Sequence, residues 1–278
     1  MQLQLRTLHK GFVQNSLQQF KHKMTGLKLK KFQPKLQFVF DFRNYRVKTA
    51  HTTQELKEVL RLRYKVFKSS DVNDIAYDFD RYDLLGDHVL LIDKTENKII
   101  GTYRLLSSEF TNEFYSENEF ELTELLEQDK SFLELGRACI HPDHRNGITI
   151  NLIWKGLGRY IQLSQADYVF GCSSLFNPDI KLVSQTKSYL QNHHSLKDVD
   201  IYPQPDYWYH LKQTTLTEEQ EKQVENTLPP LLRSYIHAGA KVCATPAFDV
   251  EFNCFDFFTI LKIADMTPKF KKRFLQEQ

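Results

Sequence analysis

Apolar positions along this chain recur in two rhythms, one helical and one extended, and together they lay out its elements. Leu5, Leu8, Phe12, Val13, Leu17, Phe20, Met24 and Leu27 return at three- and four-residue steps with Lys and Gln opposite them. That stripe predicts an amphipathic helix. Leu36 to Thr49 alternates and carries Phe38, Phe40 and Phe42, as one strand would. Thr52 opens a second amphipathic helix with Leu56, Val59, Leu60 and Leu62, and Glu55 three residues on completes a capping box. His88–Asp93 and Lys98–Leu106, either side of Lys94–Asn97, predict a β-hairpin. A short helix ends at Gln128, and Phe132–His141 is a short apolar run stopped by Pro142, the mark of a buried strand. Ile148–Thr149 opens a helix to about Leu163, with Thr149 as the expected N-cap. Tyr168–Ser174 is a strand, Pro178–Leu190 a helix and Pro203–Leu216 loop. Leu231–Gly239 is a helix ended by glycine, and Val250–Ile263 a last aromatic strand.

Composition changes this picture in one place. Residues 1–40 hold eight Lys/Arg and no acid, while the remainder holds 29 basic and 35 acidic residues, a net of −6. A basic amphipathic arm over residues 1–35 predicts an anionic partner, and an anionic membrane surface suits it. Its cations form no compact motif with aromatic platforms, so nucleic acid is not expected. No run of 18 apolar residues exists, and Leu3–Leu8 is too broken for a secretory signal. Cys139, Cys172, Cys243 and Cys254 have no C-x-x-C spacing, so no metal site or disulfide framework is expected, and a reducing cytoplasm fits them.

The chemistry concentrates between Phe132 and Tyr160. Glu134 and Arg137 sit in an apolar strand, where a bare charge costs too much to bury without a partner. Strict alternation sends them to opposite faces; a bulge at Gly136 would turn both toward one cleft. A structural ion pair is the plainer reading. The following turn, His141–Gly147, carries Arg145 and Asn146 before the helix. Free N–H groups of a first helical turn, with the positive end of the dipole, make an anion site at Arg145, Asn146, Gly147 and Thr149. Arg63 and Arg104 are further charges among apolar neighbours, and Asp71, Asp74, Asp78, Asp80 and Asp83 make the loop after the second helix acidic. Such a loop is solvated, or it holds a cation or amine.

The order of strand, helix, acidic loop, hairpin, Glu/Arg strand, basic turn and helix resembles the GNAT acyltransferases. It is most similar to the ornithine-lipid (lyso-ornithine) N-acyltransferases, often labelled hemolysin-like. The segments that carry the resemblance are Leu62–Phe67, Asp78–Asp83 with Asp87–His88, Gly101–Leu106 and Leu133–Cys139. Gly171–Ser174, Leu228–Tyr235, Gly239–Cys243 and Pro246–Asp249 extend it over roughly Tyr45 to Leu275. The acyl-homoserine-lactone synthases look similar over Arg63, Phe67, Asp80, Asp83, Arg104, Glu134 and Arg137, but lack the long C-terminal part. The resemblance implies an α/β fold with a mixed, splayed sheet flanked by helices, a domain over residues 36–278, and a C-terminal elaboration from about residue 200. Where ordinary GNATs have a glycine-rich loop for coenzyme A, this chain has Ile148, Thr149 and Ile150 after Gly147. That departure suits a donor with one phosphate, the phosphopantetheine arm of acyl carrier protein.

The reaction so implied moves a long-chain 3-hydroxyacyl group from the carrier thioester to the α-amine of ornithine, lysine or glycine, with no tightly bound cofactor. An α-amine of pKa near ~8 is mostly protonated at neutral pH, so a base must act before attack. Glu134 is the expected base, Arg137 its orienting partner or the anchor of the acceptor carboxylate, and backbone N–H groups near Cys139 and Ile140 the oxyanion donors. Asp80 and Asp83 are expected to hold a side-chain ammonium, or else to order their loop around Arg63 or Arg104. A cytoplasmic enzyme peripheral on the inner membrane face follows from the arm. The alternatives are a homoserine-lactone-type synthase and a non-enzymatic, membrane-active protein.

Overall fold

A computed structural model describes residues 28–68, 76–176, 179–243 and 245–275. The apolar stripe from Leu5 to Leu27, and the acids Asp71 and Asp74, lie outside the described residues. The chain forms two compact units, residues 1–103 with 137–153, and residues 104–136 with 154–278. The fold is mixed α/β, with mostly antiparallel strands flanked by helices.

The first unit starts with a hairpin, β1 (Val39–Phe42) and β2 (Tyr45–Thr49). The sequence pattern predicted one strand here. The reversal at Arg43–Asn44 uses a left-handed Arg43 (φ +51°), and alternation on either side of so tight a turn hides it. Helix α1 (Thr53–Phe67) starts at Thr52 with the predicted capping box: Glu55 N donates to Thr52 Oγ1 and Thr52 N donates to Glu55 Oε2. Its apolar face buries Leu56, Val59, Leu60 and Leu62 with Leu90, Ile99 and Cys139. Strand β3 (Asp87–Asp93) pairs with β2 and is followed by β4 (Lys98–Ser107), the predicted hairpin, turned by a left-handed Asn97 (φ +50°).

The second unit contains a small pair, β5 (Phe120–Glu121) with a later strand, and a short helix α2 (Thr123–Leu126). Strand β6 (Phe132–Ile140) begins here and its last residues, from Arg137, belong to the first unit. Helix α3 (Gly147–Ser164) likewise passes from the first unit to the second at Trp154. Strand β7 (Tyr168–Phe176) runs parallel to β6, with Phe132, Leu133 and Glu134 opposite Tyr168, Val169 and Phe170. Gly171 is needed at the next step, since a Cβ there would stand 2.3 Å from Leu135 O.

Helix α4 (Ile180–His193), β8 (Tyr202–Pro203, the partner of β5), α5 (Glu218–Thr227), α6 (Pro230–Ala238) and β9 (Lys241–Val242) follow. Helix α5 has no apolar stripe: Val224 is its one buried residue, so periodicity could not announce it. A capping box of Thr217 and Gln220 was the available signal. Helix α6 ends at Gly239, whose φ of +108° only glycine adopts easily. Strand β10 (Ala247–Asp249) turns back into β11 (Cys254–Lys262), which pairs along the whole of β7. Val250–Asn253, predicted as strand, is instead the turn of that hairpin, with Asn253 left-handed (φ +48°).

Candidate active site

Glu134 enters the interior of the second unit on β6 and is 2% exposed. Its carboxylate is gripped at the start of the helical turn Tyr115–Asn118. Tyr115 N donates to Oε2 (2.7 Å), and Ser116 N (2.8 Å) and Ser116 Oγ (2.6 Å) both donate to Oε1. A carboxylate offers about four acceptor positions, so one remains, on Oε2. Burial raises the pKa of Glu134; the hydrogen bond from Ser116 and the charge of Arg104 oppose the rise without cancelling it. The Arg104 guanidinium lies over the Tyr115 ring, 5.4 Å from its centre, and a Cβ on Gly136 would stand 3.8 Å from it.

From Glu134 a line of buried polar groups continues within the same unit. Ser116 Oγ lies 3.4 Å from Cys172 Sγ, and Cys172 and Tyr115 are neighbours of Glu119. Glu119 faces Asp256, which accepts from Ser174 Oγ at 2.5 Å and from the Cys254 thiol at 3.4 Å. Cys172 also lines a narrow apolar cavity of about 30 Å³ with Leu135, Trp154, Leu157, Phe170 and Leu261. Cys172 is where the polar line and the apolar cavity meet. Its thiol is pushed well above the ordinary range by burial and by Glu119, so it is no nucleophile at neutral pH.

Arg137 belongs to a different network, in the first unit. The predicted bulge at Gly136 is displaced by one residue: Arg137 itself is left-handed (φ +50°), and Gly136 is not. Its guanidinium contacts Asp80 (3.2 Å) and Asp78 (3.7 Å). Arg63, on α1, is wholly buried between Asp78 (2.7 Å) and Asp83 (2.5 Å). Asp83 also accepts from Asp80 N, closing a capping box around residues 81–84. Asp80 and Asp83, expected on an ammonium or as loop organisers, are thus both engaged with guanidiniums, and order the loop. Cys139 packs beneath α1, its thiol pushed up to about 12 by burial.

The turn before α3 holds Arg145, Asn146 and Gly147 exposed. Arg145 Nε donates to Ile140 O at 3.0 Å. The N-cap is Asn146, not Thr149: Asn146 Oδ1 accepts from Ile148 N (2.9 Å) and Thr149 N (3.1 Å). Thr149 is buried one turn into the helix and donates to His144 O at 2.6 Å. Asn wins because its acceptor already reaches both N–H groups from the turn. Gly147 has nothing within 4 Å of where a Cβ would be, so its surroundings are open to a ligand.

Sequence reasoning missed the acids Glu119, Asp249 and Asp256. Glu119 stands in a segment without strong periodicity, and Asp256 in an aromatic strand where the reading stopped at the hydrophobic pattern. An acid inside Cys254–Phe258 was the available signal, of the same kind that singled out Glu134.

Residues 62–155 match the family described as acetyltransferase (GNAT) domain. A protein named L-ornithine N(alpha)-acyltransferase from Rhodobacter capsulatus is 28% identical over 244 residues, 82% of this chain and 94% of the relative. One of the same name from Rhizobium meliloti is 29% identical, over 82% of this chain and 83% of its own. The solved structure of FeeM, an N-acyl amino acid synthase from uncultured soil microbes, superposes with a TM-score of 0.47 at 9% identity, covering 83% of this chain and 95% of that one. The chain is therefore a GNAT-fold acyltransferase, homologous to the proteins named L-ornithine N(alpha)-acyltransferase.

Proposed function

We propose that this enzyme moves a long-chain 3-hydroxyacyl group from an acyl-carrier-protein thioester to the α-amine of ornithine. The supporting observation is the meeting, at Cys172, of an apolar cavity with a line of buried acceptors that ends on Glu134. The names of the relatives point to the same acceptor.

Glu134 serves as the base. The α-ammonium donates to the free position on Oε2, passes its proton directly or through one water, and attacks the thioester carbonyl. A carboxyl raised by burial keeps that proton more readily than an exposed one. The thiolate then leaves and takes up the second proton shed by the nitrogen, and no acyl-enzyme forms, since Cys139 and Cys172 are both held as thiols. The acyl chain's first methylenes fit the cavity beside Cys172; the rest of a long chain needs its walls to part, because the volume matches about one water-sized group. For the donor phosphate, Arg145 and Gly147 are the candidate contacts, with the Ile148–Ile150 start of α3 favouring phosphopantetheine over coenzyme A. Residues 1–35 hold the enzyme to an anionic leaflet at the cytoplasmic face.

The test is N-acyl-ornithine formation by the purified full chain, followed by mass spectrometry with carrier-bound and coenzyme-A-bound acyl donors in parallel. Glu134→Gln is expected to lower kcat by roughly 10²–10⁴, with thermal melting as a check on folding, because its amide N–H₂ would face a backbone donor. Unchanged turnover in that variant removes Glu134 as base. Deleting residues 1–35 is expected to abolish sedimentation with anionic vesicles and spare turnover of soluble substrates; vesicle binding that persists removes the membrane role.

A further inference from the structure

The cavity beside Cys172 holds about one water-sized group, so a long acyl chain has to displace one of its walls. Most of the lining is fixed by backbone hydrogen bonds: β7 and β11 are paired along their length, and Leu157 and Ile161 sit inside the 18-residue helix α3. The remaining side belongs to the end of the chain. Met266 lines the cavity, and residues 268–275 lie over Trp154, another lining residue. Phe270 and Phe274 pack against the Trp154 ring at 5.7 and 5.5 Å between centres, and Tyr235 does so at 5.4 Å. Beyond Thr267, whose N–H donates to Ala238 O at 2.9 Å, this segment joins no strand among the described residues. It puts Phe270, Phe274 and Leu275 inward and the exposed cations Lys269, Lys272 and Arg273 outward. Its last turn, Lys271–Leu275, is π-helical, a form that recurs at functional places.

We propose that Trp154 and the aromatic segment over it set the length of acyl chain the enzyme takes, an inference that rests on the acyl-transfer reading above. The far methylenes of a long chain replace Phe270 and Phe274 on the Trp154 ring. Rings and methylenes are both apolar, so the exchange keeps that face of Trp154 out of water. Releasing the segment costs its ring contacts and the hydrogen bond from Gln162 Nε2 to Leu275 O, while the sheet stays whole. Each further methylene that leaves water adds about fourfold in affinity, which offsets that cost only for a long chain. A short chain fills the existing cavity and leaves the segment in place.

Gly158 is what lets the cover close. A glycine inside a helix is less stable than alanine, yet here a Cβ would overlap Phe274 O, so the close approach of the segment to α3 requires it. The larger groove of about 500 Å³ between α4, α5 and α6 is no rival for the chain. His193, Glu218, Glu221, Lys222, Glu225 and Arg233 line it, and methylenes there would strip water from charges without answering them.

The sequence has two tryptophans, so Trp208→Phe leaves Trp154 as the single indole. The full chain with that substitution is titrated with stearate carrying two bromines at mid-chain, which quench indole fluorescence on contact. Saturable loss of most of the emission, reversed by 3-hydroxypalmitate, is expected; no saturable loss overturns the inference. This measurement needs no acyl transfer, so the two readings fail separately. Quenching in a protein that acylates no amino acid sinks the acyl-transfer reading alone, and acylation without quenching sinks the length-setting site alone. Gly158→Ala, made in the same background, forces the segment off α3 and is expected to tighten binding of the brominated chain about tenfold, because the open form is then already populated. If thermal melting shows that variant unfolded, Phe274→Leu thins the cover instead and is expected to tighten binding about threefold. Affinity that is unchanged or weaker in the folded variant overturns the segment's part. With the natural Trp208 in place, Trp154→Leu deepens the site. It is expected to raise kcat/KM for a sixteen-carbon over a twelve-carbon acyl donor at least ~10-fold, mainly through KM, and an unchanged ratio overturns the part of Trp154.

Discussion

Two buried charge clusters in this molecule are built on opposite terms. In the first unit, Arg63, Arg137 and Lys68 answer Asp78, Asp80 and Asp83 at distances of 2.5–3.9 Å. Opposite charges raise the pKa of Arg63 despite its complete burial, so the cluster is content as it stands. In the second unit, Glu119 and Asp256 lie together; burial raises both, the charge of Asp256 adds to the rise of Glu119, and hydrogen bonds from Ser174 and Cys254 oppose the rise of Asp256. Sequence could not separate them: each is a set of acids beside apolar residues. The difference teaches what sets the charge of a buried acid. A cluster answered by guanidiniums holds a loop in place as ions, whereas one answered by hydroxyl, thiol and a neighbouring acid favours the protonated form.

Removing a guanidinium from the neutralised cluster gives the largest expected effect. Arg63→Met removes the guanidinium buried between Asp78 and Asp83 and is expected to cost about 3–5 kcal/mol in urea unfolding. A loss well under 1 kcal/mol would show that the acids relax to water and would erase the contrast. The second prediction runs the other way. Glu119 has a raised pKa in the fold, so its protonated form is the one the fold favours. The stability this brings is full below the unfolded value near 4.5 and is lost as pH rises through the folded one. Glu119→Gln is therefore expected to melt with wild type at pH 4.5 and a few degrees above it at pH 8. Equal curves at both pH values would mean that Glu119 ionises without penalty. Arg137→Gln gives the smallest change. Its side chain is 15% exposed and Arg63 still answers Asp78, so a loss of roughly 1 kcal/mol or less is expected. Its turnover is the sharper reading: activity held within about threefold would confine Arg137 to ordering the acidic loop.

Local signals were legible wherever the physics is local. The Thr52–Glu55 capping box, the Lys94–Asn97 reversal and the Gly239 helix end all appeared as read, because each depends on residues three or four apart. The hairpin at Arg43 and the turn at Val250–Asn253 escaped, since a left-handed residue other than glycine leaves no mark in a hydrophobic pattern. Within the site, Glu134 was visible as a lone charge in an apolar strand, and so was Arg137. Their partners were not visible. Ser116, which holds Glu134, lies 18 residues earlier in a segment with no periodic signal.

The order of residues by itself determined the class of fold, the basic composition of residues 1–35 and the presence of an acid that must be partnered. Tertiary structure alone decided which charges are neutralised. That depends on groups 57 residues apart for Arg137 and Asp80, and 82 apart for Ser174 and Asp256. A pairing energy over a few ångströms is set by where the backbone carries each group, and no spacing along the chain encodes it.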